Sequence, residues 1–180
     1  MIKAPSSALF FSLVFISCSS INVNSDYDIY ADFDKYRTFY IFKGELKGSK
    51  LEDAAITKKR VLDAIKSDLN KRGFTETDSI NADLTIFALA NTADKMNVNS
   101  NGYGYNYGNG WGPYPYGRNI DVTYYTQTSL IIDFVDNKKD ELIWRGIGTA
   151  VLKYRGTPDE RKKFISEAVS KILDQFPPDS

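Results

Sequence analysis

The reactive side chains of this sequence are few, and this limits the chemistry it can perform. The chain contains no histidine and a single cysteine, Cys18. Without histidine, Ser-His-Asp and Cys-His nucleophile arrangements and histidine-bearing zinc sites are excluded. A pair of carboxylates across a cleft could still hydrolyse a glycosidic bond, and 23 acidic residues could supply one. We therefore expect a protein that is not an enzyme and has no cofactor, with carboxylate hydrolysis as the least favoured alternative.

The single cysteine lies where a lipid anchor would be attached. Cys18 directly follows the small residue Ser17 and an apolar run from Ala8 to Ile16. A run of this length after a basic start is typical of a secretory signal, whereas a membrane span needs about 20 apolar residues. Bacterial lipoprotein signals place their acceptor thiol at this position, although Phe15 stands where many have leucine. We predict that Cys18 is acylated and binds the membrane.

The predicted signal divides the chain into two parts. Residues 1–17 form the signal peptide, and residues 18–180 form one lipid-anchored domain. Because each buried methylene contributes about 0.8 kcal/mol, an anchor of three acyl chains would hold this domain on a bilayer essentially permanently. Ser19 and Ser20 replace the aspartate that retains many lipoproteins at the inner membrane. The expected location is therefore the cell envelope, at the outer membrane and facing the periplasm.

The charge balance bears on the class of partner. The mature part carries 22 basic against 23 acidic residues, because Lys3 is the only charged residue of the signal. A nearly neutral chain without a basic cluster argues against a nucleic-acid partner.

An acidic segment near the start of the mature chain superficially imitates a calcium loop. Asp26, Asp28, Asp32 and Asp34 have the required alternation. However, the segment lacks the glycine and the terminal glutamate of an EF-hand and is interrupted by apolar residues. We predict no metal site.

Residues 99–118 form a segment rich in glycine, tyrosine and asparagine, which cannot supply a regular helix or a central strand. It is either a simple connecting loop or an adaptable aromatic surface, because tyrosine and tryptophan contact proteins and stack on sugar rings. The candidate binding residues are Tyr103, Tyr105, Tyr107, Trp111, Tyr114 and Tyr116.

The stretch from Tyr124 to Leu152 is typical of a long antiparallel hairpin, because two β-branched and aromatic runs flank a short polar turn. We expect Phe134 opposite Leu142 and Ile132 opposite Trp144, with a loop at 137–139. A slip of one residue, with a four-residue loop, is the second choice.

The hairpin's candidate site residues are Asp133, Trp144 and Arg145. Trp144 beside Arg145 is either a core aromatic next to a surface charge or a recognition site. The glycines at 146 and 148 suggest a bulge or the close approach of a helix or a large ring.

The remaining elements follow from periodicity and end signals. A capping box at 49–52 and a stop at Gly73 predict a helix over 50–72, and a second box at 157–160 predicts a helix that ends before Pro177. Strands are predicted near 22–27, 38–42 and 82–90. The expected fold is α+β: a mainly antiparallel sheet of about five strands with a long C-terminal hairpin and two amphipathic helices packed on it.

Several ordered motifs behind the predicted signal give the chain a family resemblance. It is similar to the bacterial envelope lipoprotein family known as domain of unknown function 4136 over nearly all of the mature part. The motifs are Asp26-Tyr27-Asp28, Ala31-Asp32-Phe33, Lys35-Tyr36-Arg37-Thr38-Phe39, Arg72-Gly73-Phe74, Ala82-Asp83-Leu84, Leu130-Ile131-Ile132-Asp133 and Trp144-Arg145-Gly146. The resemblance implies an envelope lipoprotein and supplies no catalytic residues.

Two binding functions are compatible with these observations. The first is a non-enzymatic, lipid-anchored envelope protein that binds a protein partner or supports an assembly, with the aromatic segment 99–118 as its docking surface. The alternative is a module that binds a small ligand or a glycan, for which a concave pocket lined by the segment's aromatic residues or by Trp144 would be evidence.

Overall fold

The computed structural model describes residues 21–44, 49–50, 54–77, 81–100, 120–151 and 156–178. Within these ranges, six strands form one sheet and two α-helices cover one of its faces, which confirms the expected α+β class. A 3-10 turn at Phe33–Lys35 links the first two strands. In chain order the elements are β1 (Asn22–Tyr27), β2 (Thr38–Ile41), α1 (Ala55–Lys71), β3 (Thr75–Glu76), β4 (Leu84–Ser100), β5 (Ile120–Asp136), β6 (Glu141–Val151) and α2 (Pro158–Leu173).

The sheet is mixed, with strand order β1-β6-β5-β4-β2-β3. β1, β6, β5 and β4 pair antiparallel in that order, whereas β2 lies parallel to both β4 and β3. The two-residue strand β3 raises the strand count from the expected five to six, and it is too short to leave a pattern in the sequence.

The core lies between the sheet and the two helices. Alternate strand residues supply the sheet side, since successive side chains of a strand point to opposite faces. The helices supply Val61, Ile65 and Leu69 from α1 and Val169, Ile172 and Leu173 from α2. Phe176, just after α2, lies at the centre of an aromatic cluster, with its ring 4.3 Å from that of Phe134 and 5.3 Å from that of Trp144.

The glycines of β6 allow α2 to approach the sheet closely. A Cβ at position 146 would lie 2.5 Å from Cγ2 of Ile172, and one at position 148 would lie 2.6 Å from its Cδ1. Contacts of 2.6 Å between carbon atoms are repulsive, so only glycine fits under Ile172. The expected close approach of a helix at these two positions is confirmed.

The predicted ends of the helices are correct in three of four cases. Gly73 has a φ of 90° directly after α1, as expected of a left-handed stop. At the start of α2, Thr157 and Glu160 form the predicted capping box. The predicted start of α1 is wrong, because the helix begins at Ala55 rather than Lys50. Ser49 instead accepts a hydrogen bond from the Ala90 amide of β4 at 3.2 Å.

The predicted register of the β5–β6 hairpin is wrong by two residues over most of its length. Phe134 lies opposite Trp144, whereas Val135 lies opposite Leu142, so Ile143 is an extra residue that forms a β-bulge. The turn occupies residues 137–140, one more than expected, and Asp140 adopts a φ of 56°. Because a shift of two residues preserves the faces of a strand, Ile132, Phe134 and Trp144 still share the core face. Leu142, expected with them, is exposed.

The strands that flank the aromatic segment are longer than predicted. β4 was expected to end at Ala90 but continues to Ser100, and β5 begins at Ile120. The two strands stay paired up to Ser100 and Ile120. Asn99 and Ser100, expected in a loop, are therefore strand residues.

None of the helices in the described ranges is both long enough and apolar enough to cross a membrane.

Candidate functional site

The residues predicted to carry function fall into two groups. Cys18 and the aromatic residues of the segment 99–118 lie outside the described residues. Lipidation at Cys18 and binding by Tyr103, Tyr105, Tyr107, Trp111, Tyr114 and Tyr116 therefore stay predictions. Asp133, Trp144 and Arg145 are described, so their roles can be read from their contacts.

Asp133 and Arg145 form a cross-strand ion pair on the sheet face opposite the helices. Arg145 Nε donates to Asp133 Oδ1 at 2.6 Å, and its Nη2 donates to Oδ2 at 2.7 Å. The hydrogen bond to Asp133 raises the pKa of Arg145 more than burial lowers it, and Asp26 on β1 raises it further. The two residues lie directly opposite each other across the β5–β6 pair. Since both carboxylate oxygens are engaged, the pair serves to fix the strand register.

Trp144 belongs to the core. Its side chain is fully buried, its ring packs against Phe134 and Phe176, and its indole Nε1 donates to the carbonyl of Gln175 at 3.3 Å. A partner at the surface cannot reach this ring. Of the two roles considered for Trp144, the core aromatic next to a surface charge fits its position.

A second carboxylate, Asp136, is enclosed at the end of β5 and was not recognised in the sequence. Its Oδ2 accepts from the Tyr36 hydroxyl at 2.7 Å, and its Oδ1 accepts from the Lys138 amide at 2.8 Å. Lys35 Nζ lies 3.3 Å from Oδ2. Burial raises the pKa of Asp136, but the hydrogen bonds from Tyr36, Lys138 and Lys35 outweigh burial and bring it to about 2. Asp136 thus holds the β5–β6 turn against β2 as a permanent anion.

Asp83 performs a similar task between β2 and β4. Its Oδ2 accepts from the amides of Arg37 and Thr38 and from the Thr38 hydroxyl, each at about 3 Å. The Asp83 amide in turn donates to the Thr38 hydroxyl at 3.0 Å. Burial raises the pKa of Asp83, but these hydrogen bonds lower it by more. The reciprocal contact fixes the parallel alignment of the two strands.

These carboxylates do not resemble catalytic groups. A general acid needs a pKa raised toward neutrality, whereas the pKa values of Asp83 and Asp136 are lowered. Within the described part of the chain, no three histidine, cysteine or acidic side chains are arranged to hold a metal ion. The arrangement of these acids is suited to structural support.

The sheet end that contains the β5–β6 turn carries a set of exposed apolar side chains, which we call the turn-end patch. Its residues are Tyr27, Ile29, Tyr30 and Leu142, and Tyr30 is 86% and Ile29 74% exposed. Their backbones are adjacent, because the Asp28 amide donates to the carbonyl of Ile143, next to Leu142, at 2.9 Å. Leu142 pairs with Val135 and lies on the sheet face opposite that of Tyr27, which pairs with Trp144, so Tyr27, Ile29 and Tyr30 form the main part of the patch. An exposed apolar patch of this kind is a candidate binding surface. The sequence feature that could have indicated this patch is the presence of Tyr27 and Ile29 within an acidic segment.

The turn-end patch has a rigid base. The ring of Tyr27 packs edge-on against Phe33 at 6.2 Å, and Phe33 packs against Phe176 at 5.8 Å. The Asp28 side chain accepts from the Tyr30 amide at 2.9 Å and so holds the backbone between them. A surface held in one conformation loses little entropy when a partner binds.

Charged side chains of both signs lie near the turn-end patch. Asp26, Asp32 and Asp34 are exposed in the same segment. Glu141, which begins the neighbouring strand, lies 3.9 Å from Lys139 of the turn. Apolar side chains within a polar rim are the usual anatomy of a protein interface.

A shallow depression toward the other end of the sheet is lined by polar and small residues. It has a volume of about 160 Å³ and is formed by Asn91, Ala93, Lys95, Gln127 and Ser129. Ligand sites usually enclose about 300–1,000 Å³, so this depression is too small for a typical small-molecule site.

Comparison with known proteins gives a family and a fold. A family model described as Domain of unknown function (DUF4136) matches residues 23–178. No curated protein matches the sequence. The structure of a PDZ domain protein from Parabacteroides distasonis is similar, with 16% sequence identity and a TM-score of 0.53. The match covers 89% of this chain and 37% of that chain. The chain thus spans little more than a third of that protein, and the likeness shows the fold alone. A PelC dodecamer from Paraburkholderia phytofirmans has 12% sequence identity and a TM-score of 0.45. That match covers 85% of this chain and 95% of that chain.

Proposed function

The chain belongs to the DUF4136 family, and we propose that this member is a non-enzymatic, lipid-anchored protein of the bacterial cell envelope that docks another protein. The observation that carries the proposal is the turn-end patch, in which Ile29 and Tyr30 are among the most exposed apolar side chains of the described residues. An exposed apolar patch with charged side chains around it suits a protein partner.

The position of the patch fits an anchored protein. β1 begins at Asn22, close in sequence to Cys18, and ends at Tyr27 in the patch. Six strand residues extend over about 17 Å, so the patch lies about that far from Asn22, where the tether joins the sheet. A lipid at Cys18 would therefore leave the turn-end patch accessible from the periplasm. The segment 99–118 remains a second docking surface in this proposal, as the sequence predicted.

The carboxylates support the non-enzymatic part of the proposal. Asp133, Asp136 and Asp83 all accept hydrogen bonds from the protein itself. Breaking any of these contacts to bind a substrate would cost stability, because a buried acceptor without a donor is unfavourable by about 1–3 kcal/mol.

Site-specific photo-crosslinking in intact cells tests the docking surface. A photoreactive amino acid at position 30 is expected to give one discrete adduct with another envelope protein. The substitution Ile29→Ser should abolish that adduct, since it removes a neighbouring apolar contact. Position 56 is the matched control, because Ile56 is also a highly exposed isoleucine but lies on α1. Equal adducts from positions 30 and 56 would refute docking at the patch.

The lipid anchor and the aromatic segment are tested separately. Mass spectrometry of the mature protein should show an acylated Cys18, and Cys18→Ala should move the protein to the aqueous fraction. A protein with a free Cys18 thiol would contradict the anchor. Deletion of residues 101–119 should leave the adduct at position 30 unchanged, whereas loss of this adduct would assign docking to the aromatic segment instead.

A further inference from the structure

Residues 28–31 form a tight turn that carries the most exposed part of the turn-end patch. The Ala31 amide donates to the carbonyl of Asp28 at 3.1 Å, which closes a four-residue β-turn. Ile29 and Tyr30 occupy the two central positions of this turn, and they are 74% and 86% exposed. The sides of both side chains, not only their tips, are therefore open to solvent. The two residues form a protrusion, which we call the Ile29–Tyr30 knob.

The backbone beneath the Ile29–Tyr30 knob is fixed by hydrogen bonds. The Asp28 amide donates to the carbonyl of Ile143 on β6 at 2.9 Å, and the Asp28 side chain accepts from the Tyr30 amide at 2.9 Å. An aspartate at the first position of a turn often bonds in this way to the amide two residues further on. Asp28 therefore joins the turn to the sheet through its amide and stabilises the turn through its carboxylate.

The shape of the Ile29–Tyr30 knob limits the surface that can bind it. A flat partner would cover the tips of the two side chains and leave their sides in water. A concave apolar pocket can enclose both, and enclosing a tyrosine buries about 150–250 Å². Aromatic anchors that fill a pocket of the partner supply much of the binding energy at many interfaces. The Tyr30 hydroxyl requires a polar group in or beside such a pocket.

The residues around the knob disfavour a lipid surface as its partner. Residues 26–34 contain four aspartates and no basic residue. Segments that bury apolar side chains in the surface of a membrane are typically rich in lysine and arginine, which are attracted to anionic lipid. On a second copy of this chain, the depression lined by Asn91, Lys95 and Gln127 would offer polar groups, which do not suit the knob. A pocket on a different protein fits both observations.

We propose that the Ile29–Tyr30 knob inserts into an apolar pocket of a different envelope protein, and that Asp28 is the positioning residue that holds the knob in its bound conformation. The knob is part of the turn-end patch, so this inference rests on the proposed docking function. A turn that is ordered before binding loses less entropy when the partner binds, so the affinity depends on Asp28. Asparagine can accept the same hydrogen bond from the Tyr30 amide, whereas alanine cannot.

Competition in intact cells tests the insertion of the knob. The probe is the acylated protein with a photoreactive amino acid at position 30. A second copy with a different affinity tag is expressed in about tenfold excess, and an unaltered copy should lower the adduct yield about tenfold by mass action. Tyr30→Ala should weaken binding about thirtyfold, as at other hot spots, so this competitor should leave most of the adduct. Ile56→Ala, at an exposed isoleucine of α1, is the matched control and should compete like the wild type.

Two substitutions of Asp28 separate its hydrogen bond from its charge. Asp28→Ala should weaken binding about tenfold, because the turn must then be ordered on binding, and this competitor should lower the adduct yield only about twofold. Asp28→Asn should compete like the wild type. Hydrogen exchange at the Tyr30 amide should be slow in the wild type and in Asp28→Asn, and fast in Asp28→Ala.

Each failure has a different meaning. If position 30 gives no protein adduct without a competitor, the proposed docking function fails and the inference fails with it. If the adduct forms but Tyr30→Ala competes like the wild type, insertion of the knob is overturned. If Asp28→Ala competes like the wild type, or Asp28→Asn competes no better than Asp28→Ala, the positioning role of Asp28 is overturned. Adducts at position 30 with phospholipid or with a second copy of this chain, in place of a different protein, would overturn the proposed partner.

Discussion

Asp136 has the smallest exposed fraction of the buried polar side chains described, and it shows how single residues hold this fold together. Its carboxylate receives a hydroxyl, two backbone amides and a lysine, and its pKa falls to about 2 as a result. Burial and the hydrogen bond to Asp136 raise the pKa of Tyr36 to about 12. The pair therefore keeps one negative charge and one neutral phenol over the whole physiological range.

Asp136→Asn should lower the free energy of unfolding by about 2 kcal/mol at neutral pH, because an amide replaces the charged acceptor of several buried donors. The folded-state pKa is lowered, so the carboxylate's stabilisation is fully present above its ordinary pKa of 3.8 and is lost as the pH falls toward about 2. The difference between the wild type and the variant should therefore shrink between pH 4 and pH 2. Urea denaturation across this range measures it.

Asp63→Asn is the matched control for that experiment. Asp63 accepts from Lys59 at 2.9 Å on the surface of α1, where both side chains are mostly exposed. Exposed ion pairs contribute about 0–1 kcal/mol, so this variant should differ little from the wild type at any pH. If the two variants were destabilised equally, the enclosed position of Asp136 would have no special effect.

The residues that carry the family resemblance have structural roles in this chain. Tyr36 binds Asp136, Thr38 binds Asp83, and Asp133 binds Arg145. The same holds for Gly73 at the end of α1 and for Trp144 in the core. These motif residues therefore support the fold of this chain.

At the level of elements, the packing of α2 on β6 depends on the glycines beneath Ile172. Gly148→Ala should lower the free energy of unfolding by about 1–3 kcal/mol, because its Cβ would lie 2.6 Å from Ile172 Cδ1. Combining it with Ile172→Val, which removes Cδ1, should recover part of this loss. Thermal or urea unfolding of the two single variants and the double variant measures the coupling between the two positions.

Gly156→Ala is the control for Gly148→Ala. A Cβ at position 156 would meet its nearest neighbour, Glu160 Oε2, at 3.4 Å, which is an ordinary contact. Its effect should stay within about 0.5 kcal/mol, as for most surface substitutions. Equal losses at 148 and 156, or no recovery in the double variant, would contradict close packing as the cause.

The elements differ in how far the sequence could predict them. End signals that act locally, such as the capping box at Thr157 and the stop at Gly73, were predicted correctly because the residues concerned contact each other. The hairpin faces were correct from Leu130 to Phe134 and at Trp144 but wrong at Leu142, and the register was wrong, because the bulge at Ile143 has no sequence signal of its own. The outer part of β4 was missed because the sequence from Asn91 to Ser100 is polar, and pairing with β5 rather than burial makes it a strand.

The candidate site was predictable only in part, for a physical reason. Tyr27 and Ile29 were visible as apolar residues among aspartates, but their exposure depends on β1 being an edge strand that ends beside Ile143. Asp136 gave no signal because its partner Tyr36 is distant in sequence. Long-range contacts of this kind are set by topology and cannot be read from local patterns.

At the level of the whole molecule, the turn-end patch lies at one end of the sheet, and the start of β1 lies toward the other. With the proposed anchor at Cys18, the docking surface and the point where the tether joins the sheet are at opposite ends of β1.

Hydrogen exchange should reveal the unequal stability of these parts. Amides of the central strands near Ile86 and Ile132 are enclosed by the core and should exchange slowly, whereas those near Lys95, on the exposed outer part of β4, should exchange fast. Mass spectrometry of peptides measures both rates, and equal protection near Lys95 and Ile132 would contradict this expectation.

The edge position of β1 has a consequence for the order of events during biogenesis. Among the described residues, β1 pairs only with β6, whose residues 144–149 lie far along the chain. In the export proposed for this protein, the N-terminus would emerge first, and closing so long a loop would wait until those residues had followed. The first strand would then stay unpaired while most of the polypeptide was still crossing, which would leave the proposed acylation site at Cys18 accessible to a modifying enzyme until the last strand completed the sheet.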